Sequence, residues 1–391
     1  MSDEIERLLT RGVVEVHVRD EMAAKLRSGK QLRVKLGIDP TGSDLHVGHL
    51  VPLRKLAEFQ RAGHQIVLIF GTFTGRIGDP TGKDKMRQPL SEAEIRSNMA
   101  SYLEQAGKVL DIDKTEVVEN GDWLAPMTFE DILKLAGCFT VAQMLQRDMF
   151  QERMKKDQDI NMVEFFYPLM QGYDSVAIRA DIELGGTDQL FNLMAGRKIQ
   201  EAYGMPPQSI MTLSILEGTS GVEKMSKSLN NYIGVMEPPK EIFGKVMSIP
   251  DHLMPKYYEL LTDLPRGEID AQLAGHPRDA KLHLAGLVTT MLHDEAAARH
   301  EREQFLSVFA QGGLPEDIPE LRLPAGEYPL LDLVVRSGLC ASNSDARRQI
   351  GQGAIKLGDE KYMQLDEPIT INDDPKILQV GKRKFLKLVA E

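Results

Sequence analysis

Gln31-Leu32-Arg33-Val34-Lys35-Leu36-Gly37-Ile38 runs into Asp39-Pro40-Thr41-Gly42 and, three residues later, into His46-Val47-Gly48-His49. The first eight residues alternate, with Leu32, Val34, Leu36 and Ile38 on one face, which is the period of a strand. Asp-Pro-Thr-Gly is turn chemistry. Leu50, Leu53, Leu56 and Ala57 then recur at helical spacing up to a stop near Gly63. Residues 66–70 are apolar throughout, as a parallel strand buried on both faces requires. Strand, helix and strand in this order make the right-handed crossover unit of an open parallel sheet.

The pattern recurs downstream. Residues 180–184 read as a strand, 185–189 as a turn, and the following stretch as a helix to about Tyr203. A further apolar strand over 210–216 leads into a loop with Gly218 and Gly221 that lasts to Leu229. Between the two halves, residues 113–163 read as a mostly helical insertion whose faces the pattern leaves unassigned. Residues 242–309 are mainly helical, with breaks at Pro250, Pro265 and Pro277. The Pro- and Gly-rich stretch 311–329 reads as a linker. A compact mixed module follows it.

Composition narrows the class. With 391 residues, 42% apolar and 27% charged, the chain suits a soluble enzyme with an appended module. No apolar run reaches the length of a membrane span, and the acidic N-terminus does not resemble a signal peptide. Cys138 and Cys340 lack the spacing of a metal knuckle or redox pair, so a reducing cytoplasm and no structural zinc are expected. The net charge of −11 argues against an RNA partner at first sight. The tail differs: residues 328–391 carry 10 Lys and Arg against 9 Asp and Glu. An acidic body with basic clusters in a small tail is compatible with RNA binding through local patches.

Two motifs carry chemistry. His46-Val47-Gly48-His49 opens a helix at the sheet edge where such folds bind ligands, and free N–H groups there suit an anion. Gly48 admits close approach of a nucleotide base. Lys224-Met225-Ser226-Lys227-Ser228 is a cationic loop suited to a polyphosphate whose charge grows during displacement. Taken singly, each also reads as ordinary surface. Together, in this order on one sheet, they resemble the signature pair of class I aminoacyl-tRNA synthetases, and the resemblance spans nearly the whole chain.

Within that class, Tyr167, Gln171 and Asp174 fall at i, i+4 and i+7 of a helical stretch and share one face. This stripe resembles the substrate helix of tyrosyl-tRNA synthetases. The resemblance implies that Tyr167 and Gln171 hold the substrate ammonium and that Asp174 accepts from the phenol. It further implies amino-acid contacts for Asp39, Asp79 and Gln189, and nucleotide contacts for Thr41, Gly48, Gly186, Asp188 and Ser228. His46, His49, Lys83, Arg87, Lys224 and Lys227 would serve ATP and its transition state. One departure stands out: many members carry a tyrosine two residues before Gly37 as a second phenol partner, and here that position is Lys35. The second partner stays unassigned.

The implied architecture is α/β. A Rossmann-type parallel-sheet catalytic domain spans 1–232, with the insertion as dimer contact, and a helical domain for the anticodon arm spans 233–310. An α+β module over 330–391 resembles the S4 RNA-binding domain, with Arg347, Arg348, Lys382, Arg383 and Lys384 facing tRNA. Implied ligands are L-tyrosine, ATP with Mg²⁺ and tRNA(Tyr), without a tightly bound organic cofactor, in a cytoplasmic homodimer. Rival readings are a tryptophanyl enzyme, an RNA-binding paralogue without catalysis, and a generic nucleotidyltransferase.

Overall fold

A computed structural model describes residues 2–80, 91–310, 318–358, 360–381 and 384–391. The chain folds as two compact units, Met1–Ala298 and Arg299–Glu391. In the first, six strands form one sheet: β1 (Val13–His17), β2 (Arg33–Ile38), β3 (Gln65–Phe70), β4 (Thr115–Glu119), β5 (Ile182–Gly186) and β6 (Ser209–Leu213). Their spatial order is β1-β6-β5-β2-β3-β4. Every pair from β6 to β4 is parallel, and β1 runs antiparallel beside β6.

The apolar runs explain the centre of this sheet. Val34, Ile66, Val67, Leu68, Ile182 and Ile210 are wholly buried, because helices cover both faces. The chain steps outward from β2 to β3 and β4 on one side, then restarts at β5 and β6 on the other. The reversal leaves a crevice between the C-terminal ends of β2 and β5, the place where open sheets bind ligands. These two strands pair only at Val34–Ile182 and Lys35–Glu183.

Three expectations need correction. The insertion does not begin at residue 113, because 115–119 form β4, an edge strand. Its residues are all half-buried and show neither an apolar run nor clean alternation, which concealed it. β1 escaped notice similarly, with Val14 and Glu15 exposed on the opposite edge. The helical stretch 233–310 is not separated from the sheet up to Ala298. Helix Met254–Leu261 packs on helix Val47–Arg61, and the Arg11 guanidinium donates to the carbonyls of Glu259, Thr262 and Leu264 at 3.0, 2.5 and 2.7 Å.

The third correction concerns the linker. Its second half forms β7 (Glu320–Leu323) and β8 (Gly326–Pro329), so the tail module starts before residue 330. Both strands are four residues long and lie among the Gly and Pro residues that suggested a linker. β9 (Ile355–Leu357), β10 (Glu360–Tyr362), β12 (Lys376–Val380) and β13 (Lys384–Ala390) join β7 in the order β10-β9-β12-β13-β7, while β11 (Pro368–Ile371) pairs with β8. Helices Leu330–Arg336 and Asn343–Gly351 close the core over Leu333, Ile350, Leu378 and Leu388.

Candidate functional site

The crevice between β2 and β5 is a cavity of about 340 Å³. Its walls bring together Asp39, His49, Asp79, Tyr167, Gln171, Asp174, Gly186 and Gln189, eight of the residues singled out from sequence. Strand ends deliver Asp39 and Gly186; helix Met162–Ala177 delivers Tyr167, Gln171 and Asp174 along one face, as their spacing implies.

Polar contacts fix these side chains. The Tyr167 hydroxyl donates to Asp39 Oδ2 at 2.8 Å, and Thr74 Oγ1 donates to Asp39 Oδ1 at 2.8 Å. Gly71 is required beside them, because a Cβ there would lie 2.0 Å from Asp39 Oδ1. Gln189 Nε2 donates to Asp79 Oδ2 at 2.8 Å, and Asn192 donates to Gln189 Oε1 at 2.9 Å. At Asp174, Trp123 Nε1 donates to Oδ1 at 2.8 Å and Asn120 Nδ2 to Oδ2 at 3.4 Å. Burial pushes the Asp174 carboxyl up to about 7, against the opposing pull of Lys35 and these two donors.

The first signature motif is joined to the segment that follows the second. Val47 N donates to Ile233 O and Val235 N to Leu45 O, both at 2.9 Å, so His46 and Gly234 form an antiparallel bridge. His46 caps helix Val47–Arg61, its N–H donating to His49 Nδ1 at 3.2 Å, and the two rings stack 3.8 Å apart. Gly48 is tight, since a Cβ would come 3.0 Å from His46 Nδ1. Burial lowers His46 to about 3, with His49 and then Lys227 adding to it, and lowers His49 to about 4, with Lys227 adding to it. Both are therefore neutral N–H donors at working pH, not cations.

The lysine loop is held by two buried residues. Met225 packs beneath it, and Asn231 accepts from Ser226 N at 2.8 Å while donating to Lys224 O at 3.2 Å. Lys224, Lys227 and Ser228 remain exposed above. Lys227 Nζ reaches across to Asp44 Oδ2 at 3.2 Å, over the turn that carries Thr41, and Ser228 bonds Ser226. Thr41 and Asp188 are exposed and lie outside the cavity walls; the Asp188 carboxylate folds back toward Gly186. Lys83 and Arg87 fall outside the described residues, as do Lys382 and Arg383. In the tail, Arg347 and Arg348 are exposed on one helix, Arg348 pairs with Asp345 at 2.5 Å, and Lys384 donates to the Leu339 carbonyl. Among the described residues no group of three His, Cys, Asp or Glu side chains is placed to hold a metal ion.

Sequence reading missed Gly71, Thr74, Asn120, Trp123 and Asn231, none of which stands in a recognisable spacing. It also missed Glu183, although a signal existed: a carboxylate between Ile182 and Leu184 in a buried strand demands a partner. That partner is Lys35, 3.1 Å away and equally buried.

Residues 27–310 match the family described as tRNA synthetases class I (W and Y), and residues 309–388 match the tyrosine–tRNA ligase SYY-like C-terminal domain. The chain is 50% identical over 392 residues to a tyrosine–tRNA ligase of Moorella thermoacetica, covering 98% of this chain and 95% of that protein. It is 48% identical to one from Carboxydothermus hydrogenoformans, covering 100% of this chain and 99% of that protein. In fold it is similar to a C-terminally truncated mitochondrial tyrosyl-tRNA synthetase of Aspergillus nidulans. There the TM-score is 0.64 at 24% identity, over 78% of this chain and 94% of that one.

Proposed function

The chain belongs to the class I tRNA synthetases of the tryptophan and tyrosine group and, within them, to the tyrosine–tRNA ligases; from that premise we propose how its residues divide the two steps of tyrosyl-tRNA synthesis. In the first step the tyrosine carboxylate attacks the α-phosphorus of ATP and pyrophosphate leaves. In the second, a hydroxyl of the terminal adenosine of tRNA(Tyr) attacks the mixed anhydride and releases AMP. The substrate supplies its own nucleophile, so the protein contributes position and charge.

Tyrosine enters the crevice with its phenol toward Asp174 and its ammonium toward Asp39, Asp79, Tyr167, Gln171 and Gln189. Phenylalanine would leave Asp174 and its two donors without the phenol they are set to receive, the asymmetry for which tyrosyl-tRNA synthetases are themselves the standard illustration. ATP lies at the mouth, with its base against Gly48, its ribose toward Gly186 and Asp188, and its phosphates between His46, His49, Thr41 and the loop of Lys224, Lys227 and Ser228. Lys83 and Arg87 serve the leaving pyrophosphate. Mg²⁺ arrives with the nucleotide and offsets phosphate charge.

The observation that carries this reading is that His49 of the first motif lines the same crevice as Asp174, while Met225 of the second motif lies against Gly48 and Lys227 reaches Asp44. The test is exchange of labelled pyrophosphate into ATP with tyrosine, phenylalanine and tryptophan in parallel. Exchange with tyrosine alone supports it; exchange with tryptophan alone overturns the role given to Asp174.

The remaining partners belong to the same proposal. Phe129, Leu133, Val141, Met154 and Met162 are exposed apolar residues of the insertion, a face suited to a second copy of the chain. Arg347, Arg348, Lys382, Arg383 and Lys384 are assigned to tRNA phosphates. The location assigned in this proposal is the cytoplasm; no helix among the described residues is long and apolar enough to cross a membrane.

A further inference from the structure

Lys35 and Glu183 face each other at the last pair that joins β2 to β5, where the strands part to open the crevice. Both are essentially sealed from water, and Lys35 Nζ stands 3.1 Å from Glu183 Oε1. The same ammonium donates to the main-chain carbonyl of Gln171 at 3.1 Å. Glu183 in turn accepts from Gln171 Nε2 at 3.2 Å, from Ser175 Oγ at 3.4 Å, and from Gln208 Nε2. Gln171 is thus gripped through both its backbone and its side chain.

The grip has a direction. A paired carboxylate only accepts, so Glu183 compels the Gln171 amide to point its nitrogen away from the cavity. The amide oxygen is left for the cavity, where it suits an ammonium. On the next turn of the same helix Asp174 lies within the electrostatic reach of Lys35, which favours its ionised form, and of Glu183, which opposes it more weakly. The other groups around Asp174 are Asn120 and Trp123, which donate to it, and Tyr167 with its partner Asp39.

We propose that the buried Lys35–Glu183 pair is a positioning device for tyrosine: it fixes the Gln171 amide for the ammonium and, one turn further along the same helix, biases Asp174 through the charge of Lys35 toward the form that accepts from the phenol. This rests on the reading of the crevice as the tyrosine site. Lys35 does not line the cavity and acts through its neighbours.

The test uses the full chain and follows kcat/KM for tyrosine in pyrophosphate exchange from pH 5.5 to 9.5. Lys35→Met should move the acidic limb upward by about one pH unit, a loss of about fivefold at pH 7 that closes by pH 9. Glu183→Gln should move the same limb downward, because Asp174 then feels an unopposed ammonium. Lys35→Arg should restore the parent limb, and KM for ATP should stay within about twofold throughout. Should the single variants unfold, Lys35→Met combined with Glu183→Gln removes both charges, and its limb should still lie above that of the parent. Coincident limbs in every folded variant, with only the melting temperature changed, would overturn the proposal. Asp174→Asn separates the two claims: undiminished preference for tyrosine over phenylalanine there would sink the reading of the crevice itself.

Discussion

The indole Nε1 of Trp123 stands 2.8 Å from Asp174 Oδ1, so the only tryptophan in the chain is bonded to the carboxylate assigned to the substrate phenol. Tyrosine binding should therefore change tryptophan emission when excited at wavelengths where tyrosine is transparent. Phenylalanine at equal concentration should leave the emission unchanged. Trp123→Phe should raise KM for tyrosine about tenfold, the worth of one hydrogen bond to a charged group. Fluorescence titration and exchange kinetics check both.

Asp174→Asn separates function from stability. It should lower kcat/KM for tyrosine about 100-fold or more and bring phenylalanine close to tyrosine as a substrate. Stability should move the other way. The folded carboxyl sits at about 7 against an ordinary 3.8, so the fold binds this proton more tightly than the unfolded chain does. Ionising it costs stability as pH rises from about 4 through 7. Removing the charge should leave the melting temperature at pH 8 equal to or above the parent's, as calorimetry would show.

The pH profiles of the two substrates should differ. KM for tyrosine should climb about tenfold per pH unit below about 7, as Asp174 takes up its proton. KM for ATP should be flat from about pH 5 to 8. Histidines near their ordinary value would titrate in that window, but His46 and His49 are held at about 3 and 4. A histidine limb near pH 6.5 in the ATP profile would contradict the buried geometry.

Much of this was legible from the chain alone, and what was not has physical causes. The parallel core announced itself because strands buried on both faces must be apolar. Edge strands β1 and β4 did not, since a half-exposed strand tolerates almost any residue. β7 and β8 were hidden by Gly and Pro that read as linker. In the site, regular helical spacing exposed Tyr167, Gln171 and Asp174, whereas Asn120 and Trp123 reach Asp174 from a turn about 50 residues away in sequence. Such a contact has no local signature. Lys35 and Glu183 were each visible as a charge in a buried strand, but only the ladder register makes them partners.

Asn231 offers a test of the lysine loop. Asn231→Ala removes both bonds that tie the loop at Ser226 and Lys224. The exchange rate should fall about tenfold or more, while tyrosine affinity measured without ATP should not change. The melting temperature should drop by a few degrees, because a buried asparagine loses its partners.

The insertion can be examined by weight. Leu133→Glu places a charge among exposed apolar side chains and should shift sedimentation toward the monomer at micromolar concentration. The parent should sediment as a dimer under the same conditions.

The bridge between His46 and Gly234 separates distance along the chain from distance in space. Because the first motif is fastened backbone to backbone to residues 233–235, a few positions past the lysine loop, residues gained or lost at exposed loops in the long stretch between them leave their separation in the fold unaltered. Only the parts of that stretch that neither line the crevice nor bond Asp174 can lengthen, shorten or be exchanged without retuning the reaction centre. A chimaera that imports the insertion of a distant relative should keep the motifs in register. One spliced within the few residues from Asn231 to Val235 should not.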